Sequence, residues 1–217
     1  QKGGCEGQPV SFSVTVVNCC ATFAGSLDTS SIAVCGPKTV GITHFGNQNL
    51  EPNDTIRFVL FSNPNNPMGS VVQYSDSLFF PFLPGSMDFD STYYAAAIAG
   101  NLLGNDSIDT ADPCFSLRPG PKILWHKMPT IAVGSPPDSV CGIGCVNVQF
   151  DFTGAPPFEF TWEISQNGQV LFAKTESVDG FQLVVIVCPE DFALPAADGY
   201  FQFQVNYFVD KFCVCAD

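Results

Sequence analysis

Positively charged residues are scarce in this chain. Its 217 residues include 8 lysines and arginines against 21 acidic residues, which gives a formal net charge of −13. Nucleic acid is therefore not expected as a partner, because its phosphates require clustered cations. No apolar run approaches the roughly 20 residues of a membrane-spanning helix, so we expect no membrane insertion. Histidine is also nearly absent, and any site that needs it has only His44 and His126 to use.

Hydrophobic and polar residues alternate through most of the chain. The alternation is clearest in 10–16, 146–153, 158–165 and 201–209. Such spacing places one face of a strand in the core and the other in water, as antiparallel sheets do. Proline and glycine interrupt the chain at short intervals, and no long helical stretch is evident. The sequence therefore predicts an all-β protein built from antiparallel sandwiches.

A domain boundary is predicted at Lys127–Met128, because residues 123–126 suit a closing strand and residues 129–133 an opening one. The predicted domains are 1–127 and 128–217, placed end to end with restricted freedom. In each half an acidic turn precedes a tyrosine that enters a late strand, Tyr93 in the first and Tyr200 in the second. This pattern resembles the tyrosine corner of immunoglobulin-like sandwiches. We therefore predict tandem Ig-like or fibronectin-like β-sandwiches.

The N-terminal segment Pro9–Asn18 is predicted to be an extension strand flanked by cysteines. One interpretation is that it adds to the sheet edge of a neighbouring subunit and polymerises the protein by strand donation. The other is that it forms the first strand of its own sandwich. Truncation of residues 1–18 separates the two.

Cysteine is abundant. Ten cysteines in a chain of this size predict an oxidising compartment and disulfides. A zinc site built from Cys141, Cys145, Cys213 and Cys215 is the alternative, but the one-residue spacer in the last pair is too short. We instead expect Cys141 or Cys145 to bond Cys213 or Cys215, closing about 70 residues and contributing about 4 kcal/mol. The disulfide candidates are Cys5, Cys19, Cys20, Cys35, Cys114, Cys141, Cys145, Cys188, Cys213 and Cys215.

The predicted boundary divides these cysteines five and five. An odd number in each domain requires an interdomain bond, an intermolecular bond or a free thiol. In the first domain we expect Cys35 to bond Cys114. Cys5 is expected to bond Cys19 or Cys20 as a clamp on the N-terminal strand.

The sequence contains few residues in patterns that are suited to catalysis. A Ser-His-Asp site would need His44 or His126, and neither lies in a recognisable nucleophile motif. His126 lies near the predicted domain junction and is expected to be an interface residue. Glu159 and Glu163 occupy alternating polar positions and are expected to be solvated. We therefore expect no catalytic residues and no enzymatic activity.

Six triplets place an aspartate before a hydroxyl residue that is followed by an aliphatic residue or threonine. This composition should give roughly one such triplet by chance. The triplet resembles the O-glycosylation acceptor of periplasmic and surface proteins of Bacteroidota-type bacteria. The alternative is that Asp-Ser and Asp-Thr simply suit turns. The predicted acceptors are Thr55, Ser77, Ser91, Ser107, Thr110 and Ser139.

The segments 91–101, 109–114 and 119–125 together resemble a repeat of very long surface adhesins associated with gliding motility and type IX secretion. The segment 141–158 resembles the Ig-like unit that follows that repeat. The resemblance covers roughly residues 50–165, and no type IX sorting domain is evident. It implies a cell-surface stalk, adhesin or fibre without catalytic residues.

The segment from residue 101 to residue 112 is the clearest candidate binding site. Calcium takes six to eight oxygen ligands in flexible geometry, and extracellular modules often bind it weakly. The segment lacks the central glycine and final glutamate of an EF-hand, and the alternative is a polar hairpin tip that carries two glycans. The predicted oxygen ligands are Asn101, Asn105, Asp106, Asp109 and Asp112.

These observations predict a non-enzymatic structural or adhesive protein that is secreted to the cell surface or into an extracellular filament. The expected partners are neighbouring copies of the chain or flanking domains, with a surface glycan or protein receptor as a further partner. No cofactor is expected to be required. The alternative function is a calcium- or glycan-dependent adhesin module whose active surface is the 101–112 segment.

Overall fold

The computed structural model describes residues 11, 13–14, 20–104, 107–134, 144–188, 190 and 200–215. These residues form fourteen β-strands and one 3-10 turn at Met68–Ser70, so the prediction of an all-β protein is confirmed. Across the same ranges, no helix has the length and apolar character needed to cross a membrane. The predicted N-terminal strand lies outside the described residues except for Ser11, Ser13 and Val14, and strand donation stays a prediction.

The first seven strands are Ile32–Cys35 (β1), Val40–Gly41 (β2), Asp54–Phe61 (β3), Val71–Ser75 (β4), Phe79–Phe80 (β5), Thr92–Asn101 (β6) and Ser116–His126 (β7). They form one sheet in the order β1-β7-β6-β3-β4 and a second sheet of β2 and β5. Neighbouring strands are antiparallel except for β1 and β7, which run parallel.

The next seven strands are Thr130–Val133 (β8), Val146–Thr153 (β9), Phe158–Gln166 (β10), Gln169–Val178 (β11), Gln182–Val187 (β12), Gln202–Val209 (β13) and Val214–Cys215 (β14). They form one sheet in the order β12-β9-β8 and another in the order β11-β10-β13-β14. All of these pairs are antiparallel.

Both halves distribute their strands between sheets in the same way. In each half, the second and fifth strands share one sheet. The fourth, third, sixth and seventh strands lie side by side in that order in the other sheet. This is the arrangement of immunoglobulin-like and fibronectin-like sandwiches. The halves differ in the first strand, because β1 joins β7 whereas β8 joins β9. The fold prediction is confirmed, while the boundary at Lys127–Met128 itself stays a prediction.

The core of the second sandwich follows the alternation of its sequence. Phe150 and Phe152 of β9 are buried, while Asp151 between them is exposed. Phe160 and Trp162 of β10 are also buried, and the ring centroids of Phe150 and Phe160 lie 4.8 Å apart. Each such side chain stabilises the fold by about 1.5–3 kcal/mol relative to exposure.

The first sandwich departs from simple alternation because its large sheet is covered on both faces. On one face, Leu60 and Trp125 belong to the main core, and the Trp125 indole N–H donates to Lys38 O at 2.8 Å. On the other face, Val59, Ile98 and three further buried residues form a second cluster. Consecutive residues of β3 and β6 are therefore buried, as in strands that face apolar groups on both sides.

The tyrosine-corner prediction is confirmed for Tyr93 and wrong for Tyr200. The backbone N–H of Asp88 donates to the Tyr93 hydroxyl at 2.7 Å, which ties the start of β6 to the preceding turn. The Tyr93 ring packs edge-on against Trp125. Tyr200 is 97% exposed, because it precedes β13 and the first side chain of that strand to pack against the core is Phe203.

Candidate functional site

Three disulfides join cysteines of the described ranges: Cys20–Cys114, Cys35–Cys213 and Cys145–Cys188. Disulfides of this number are typical of oxidising compartments, in agreement with the sequence-based prediction. Cys5, Cys19 and Cys141 lie outside the described residues, so their bonding stays a prediction. The expected bond from Cys5 to Cys20 is wrong, because Cys20 bonds Cys114.

The predicted bond between Cys35 and Cys114 is wrong because the two residues lie at opposite ends of β7. Parallel pairing places Cys35 beside His126, the last residue of β7, whereas Cys114 precedes the first residue of that strand. Eleven residues of strand separate these ends by about 35 Å. A disulfide requires Cα atoms within about 7 Å. Cys35 instead reaches Cys213 at a Cα–Cα distance of 5.7 Å.

The predicted bond from Cys145 to Cys213 or Cys215 is also wrong. Antiparallel pairing of β9 with β12 places Val146 opposite Val187, so the residues just beyond them are neighbours. Those residues are Cys145 and Cys188, whose Cα atoms lie 4.2 Å apart. The bond therefore closes the end of one sheet of the second sandwich.

The Cys35–Cys213 bond joins the two sandwiches and resolves the odd number of cysteines in each half. Beside it, the His126 ring stacks on the Phe212 ring with centroids 4.1 Å apart and an interplanar angle of 7°. The Nδ1 atom of His126 lies 2.9 Å from Asp90 Oδ1. His126 is thus an interface residue, as the sequence predicts. Covalent and aromatic contacts together hold the junction.

The turn that carries Phe212 and Cys213 is organised by one carboxylate. Asp210 Oδ1 accepts hydrogen bonds from the backbone N–H groups of Phe212 at 2.9 Å and Cys213 at 2.7 Å. Its Oδ2 atom accepts from the Ala155 N–H at 2.8 Å. Asp210 therefore positions both the stacking ring and the bridging sulfur. The sequence-based interpretation missed Asp210 and Phe212, and their proximity to Cys213 is the signal that could have identified them.

An open cleft of about 560 Å³ lies at this junction. Asp90 and His126 border it from the first sandwich, and Asp210 and Phe212 border it from the second. Asp90 and His126 contact each other through one carboxylate oxygen and one ring nitrogen, and Asp210 accepts from backbone N–H groups. The cleft therefore has the character of a structural seam.

His44 also has a structural role. The Gly46 N–H donates to His44 Nδ1 at 3.1 Å, so the ring hydrogen lies on Nε2. Nε2 then donates to Ala24 O at 2.9 Å. The ring thereby ties the 42–46 segment to the chain that precedes β1.

The candidate calcium segment is closed by Asp112. Its Oδ2 atom accepts from the Asn101 side-chain amide at 2.8 Å, and its Oδ1 atom accepts from the Cys114 N–H at 2.8 Å. The Cys114 hydrogen bond is the largest cause that holds the pKa of Asp112 below its usual value, followed by the bond from the Asn101 backbone N–H. Asp109 Oδ1 accepts from the Ala111 N–H at 2.9 Å. The structure thus brings Asn101 and Asp112 together.

The remaining predicted calcium ligands, Asn105 and Asp106, lie outside the described residues. Over the described part of the chain, no group of three or more His, Cys, Asp or Glu side chains is arranged to hold a metal ion. Calcium binding stays a prediction.

The predicted glycosylation sites differ in exposure. Ser77 and Thr110 are exposed, whereas Ser91 and Ser107 are half-buried, and Ser139 lies outside the described residues. Thr55 is half-buried within β3, and its hydroxyl accepts from the Arg57 guanidinium at 3.3 Å.

The third position of several triplets has a packing role. Ile56 and Leu78 pack against the main core of the first sandwich, and Ile108 is buried in its second cluster. The aliphatic residue in these triplets therefore anchors a turn or a strand, which accounts for part of the pattern without modification. Glycosylation stays a prediction.

No protein-family model and no curated protein matches the chain. Among solved structures, the fibronectin(III)-like modules of Clostridium thermocellum CbhA are similar at 9% identity and a TM-score of 0.26, covering 82% of this chain and 90% of that one. The human OSCAR ligand-binding domain is similar at 11% identity and a TM-score of 0.28, covering 88% and 92%.

A 1.5-MDa bacterial ice-binding adhesin is similar at 14% identity and a TM-score of 0.30, with 85% of this chain and 62% of that chain covered. Similarities at these TM-scores carry no argument about function. The assignment of two Ig-like or fibronectin-like sandwiches rests on the strand order of the chain itself.

Proposed function

We propose that this protein is a non-enzymatic structural or adhesive element that works outside the cell, as a segment of a surface fibre or stalk. The disulfides support an extracellular location, because thiols in the cytosol are kept reduced. The net charge of −13 supports solubility and resistance to non-specific association.

The observation that carries the proposal is the bond between Cys35 and Cys213. Two domains joined by a short linker move relative to one another by default, because their interfaces are small. Here a covalent bond and the His126–Phe212 stack fix the junction at the end of β7. A fixed pair of sandwiches suits a spacer or stalk, whose task is to hold a defined length and direction.

The use of polar residues supports the same proposal. His44 binds a backbone carbonyl, His126 contacts a carboxylate and a ring, and Asp210 organises a turn. Each of these side chains stabilises local structure. Catalysis would instead require such groups to face a nucleophile or a substrate cleft.

Neighbouring copies or flanking domains are the proposed partners. β12 is an edge strand of its sheet, and its outward side chains Val184 and Ile186 are 49% and 60% exposed. Edge strands with apolar side chains favour contact with another chain. Gliding motility, type IX secretion and attached O-glycans belong to this proposal as finer expectations.

The test is to locate the protein on intact cells of its source. Antibody labelling before permeabilisation should detect it, and brief external protease treatment should remove the signal. Differential alkylation before and after reduction should show that Cys35 and Cys213 are oxidised in the cell. Labelling that requires permeabilisation, together with reduced cysteines, would overturn the proposal. Deletion of the gene should also reduce surface attachment or shorten surface fibres seen by electron microscopy.

A further inference from the structure

The disulfides determine how tension would pass through this chain. The Cys35–Cys213 bond spans 178 positions and encloses strands β2 to β13. A chain that is pulled from both sides transmits force along its shortest covalent path. That path enters at Cys35, crosses the disulfide and leaves at Cys213. The greater part of both sandwiches lies off the path.

We propose that the Cys35–Cys213 bond is a tension bypass that shields both sandwiches from force applied through the flanking chain. The inference rests on the proposed structural function, because only a chain that bears tension uses such a bypass. It adds a mechanical role to a bond that otherwise only fixes the junction. Unfolding of the enclosed strands cannot lengthen the chain while the bond is intact.

The part of the first sandwich that remains under tension is small. Strand β1 ends at Cys35 and pairs with β7 through four residues. Before it, the segment from Cys20 is held by the isolated bridges Phe23–Asn49 and Leu27–His44. These contacts are the first to break under force. Fifteen residues then extend to about 50 Å at most.

The other two described disulfides leave this path unchanged. Cys145–Cys188 lies wholly inside the enclosed segment. Cys20–Cys114 opens a second route, but that route continues through about 100 residues to Cys213 and is longer than the 15 residues from Cys20 to Cys35. The short route therefore becomes taut first.

Optical tweezers measure this directly on the full chain, with DNA handles attached at its two ends. Under oxidising conditions, the segment between Cys20 and Cys213 should release no more than about 50 Å. Adding a reductant during the measurement should allow the same molecules to extend by about 650 Å in total. Residues before Cys20 and after Cys213 add the same length to the measured extension in every variant.

Two matched variants test the assignment of the bypass to one bond. Cys35→Ser/Cys213→Ser should release more than wild type when oxidised, up to about 190 Å through the remaining disulfides. Cys145→Ser/Cys188→Ser removes a bond of the same kind from inside the enclosed segment and should match wild type. Reduction of wild type in place tests the same point without depending on the folding of a variant.

Oxidised wild type that releases several hundred ångströms would overturn the bypass, and so would a Cys35→Ser/Cys213→Ser variant that extends no further than wild type. The outcome is separate from that of the cell-labelling experiment. A short extension in a protein that is absent from the cell surface would refute the proposed function and leave the bypass intact.

Discussion

Removing the Cys145–Cys188 bond should destabilise the second sandwich and leave the first unchanged. The bond joins the start of β9 to the end of β12 and spans 43 positions within one sheet. Closing a loop of that length lowers the entropy of the unfolded chain and so raises its free energy by about 4 kcal/mol at 25 °C. Cys145→Ser/Cys188→Ser should therefore lower the free energy of unfolding of the second sandwich by up to about 4 kcal/mol.

The two tryptophans make the effect separable, because Trp125 lies in the first core and Trp162 in the second. Guanidinium unfolding followed by fluorescence in a Trp125→Phe background reports the second sandwich, and a Trp162→Phe background reports the first. With a slope of about 2.5 kcal/mol per M, the Trp162 midpoint should fall by about 1.6 M. The Trp125 midpoint should not move.

The matched variant Cys20→Ser/Cys114→Ser should reverse this pattern, because that bond ties the first sandwich to its N-terminal segment. The reasoning is refuted if the Trp125 midpoint falls as far as the Trp162 midpoint in Cys145→Ser/Cys188→Ser. A Trp162 shift below about 0.4 M, which corresponds to about 1 kcal/mol, would also refute it.

Three further measurements test other parts of the structure. Tyr93→Phe should cost about 1 kcal/mol in thermal unfolding because it removes the hydroxyl that accepts from Asp88 N–H, whereas Tyr200→Phe should leave stability unchanged. Hydrogen bonds hold the pKa of Asp112 below 3.8, so its contribution is complete above that pH and is lost as pH falls through the lower folded value. Asp112→Asn should remove this acid-dependent part of the unfolding free energy, and an equal effect in calcium and in EDTA would assign it to hydrogen bonding alone. Peptide mapping of protein from its native source should find glycans at the exposed Ser77 and Thr110, and unmodified peptides at both positions would contradict the glycoprotein prediction.

Alternation in the sequence predicted β9 and β10 of the second sandwich closely, because these strands have one buried and one more exposed face. The predicted segments 146–153 and 158–165 correspond to β9 and β10 within one residue. The same rule fails for β6, where the second cluster covers the face that alternation assigns to water. That cover comes from residues outside the strand, including Met68 and Ile108, so the alternation within β6 contains no signal for it.

Disulfide pairing could not be predicted because it depends on strand register and direction. The parallel pairing of β1 with β7 sends Cys35 towards the second sandwich, and an antiparallel pairing would have sent it away. The interface role of His126 was predictable, because the residue lies at a predicted junction. Its ring partner, Phe212, is 86 residues away in sequence and only meets it once the two sandwiches are joined.

The buried run from Ala95 to Ala99 in β6 limits how this protein can change over evolutionary time. In most strands, buried positions alternate with exposed ones, so the exposed positions can accept substitutions while the core residues are retained. In this run every position is enclosed, and no side chain has a solvent side on which to accept a larger residue. The four alanines of the run are therefore a condition for the chain to retain both layers of packing around its central sheet.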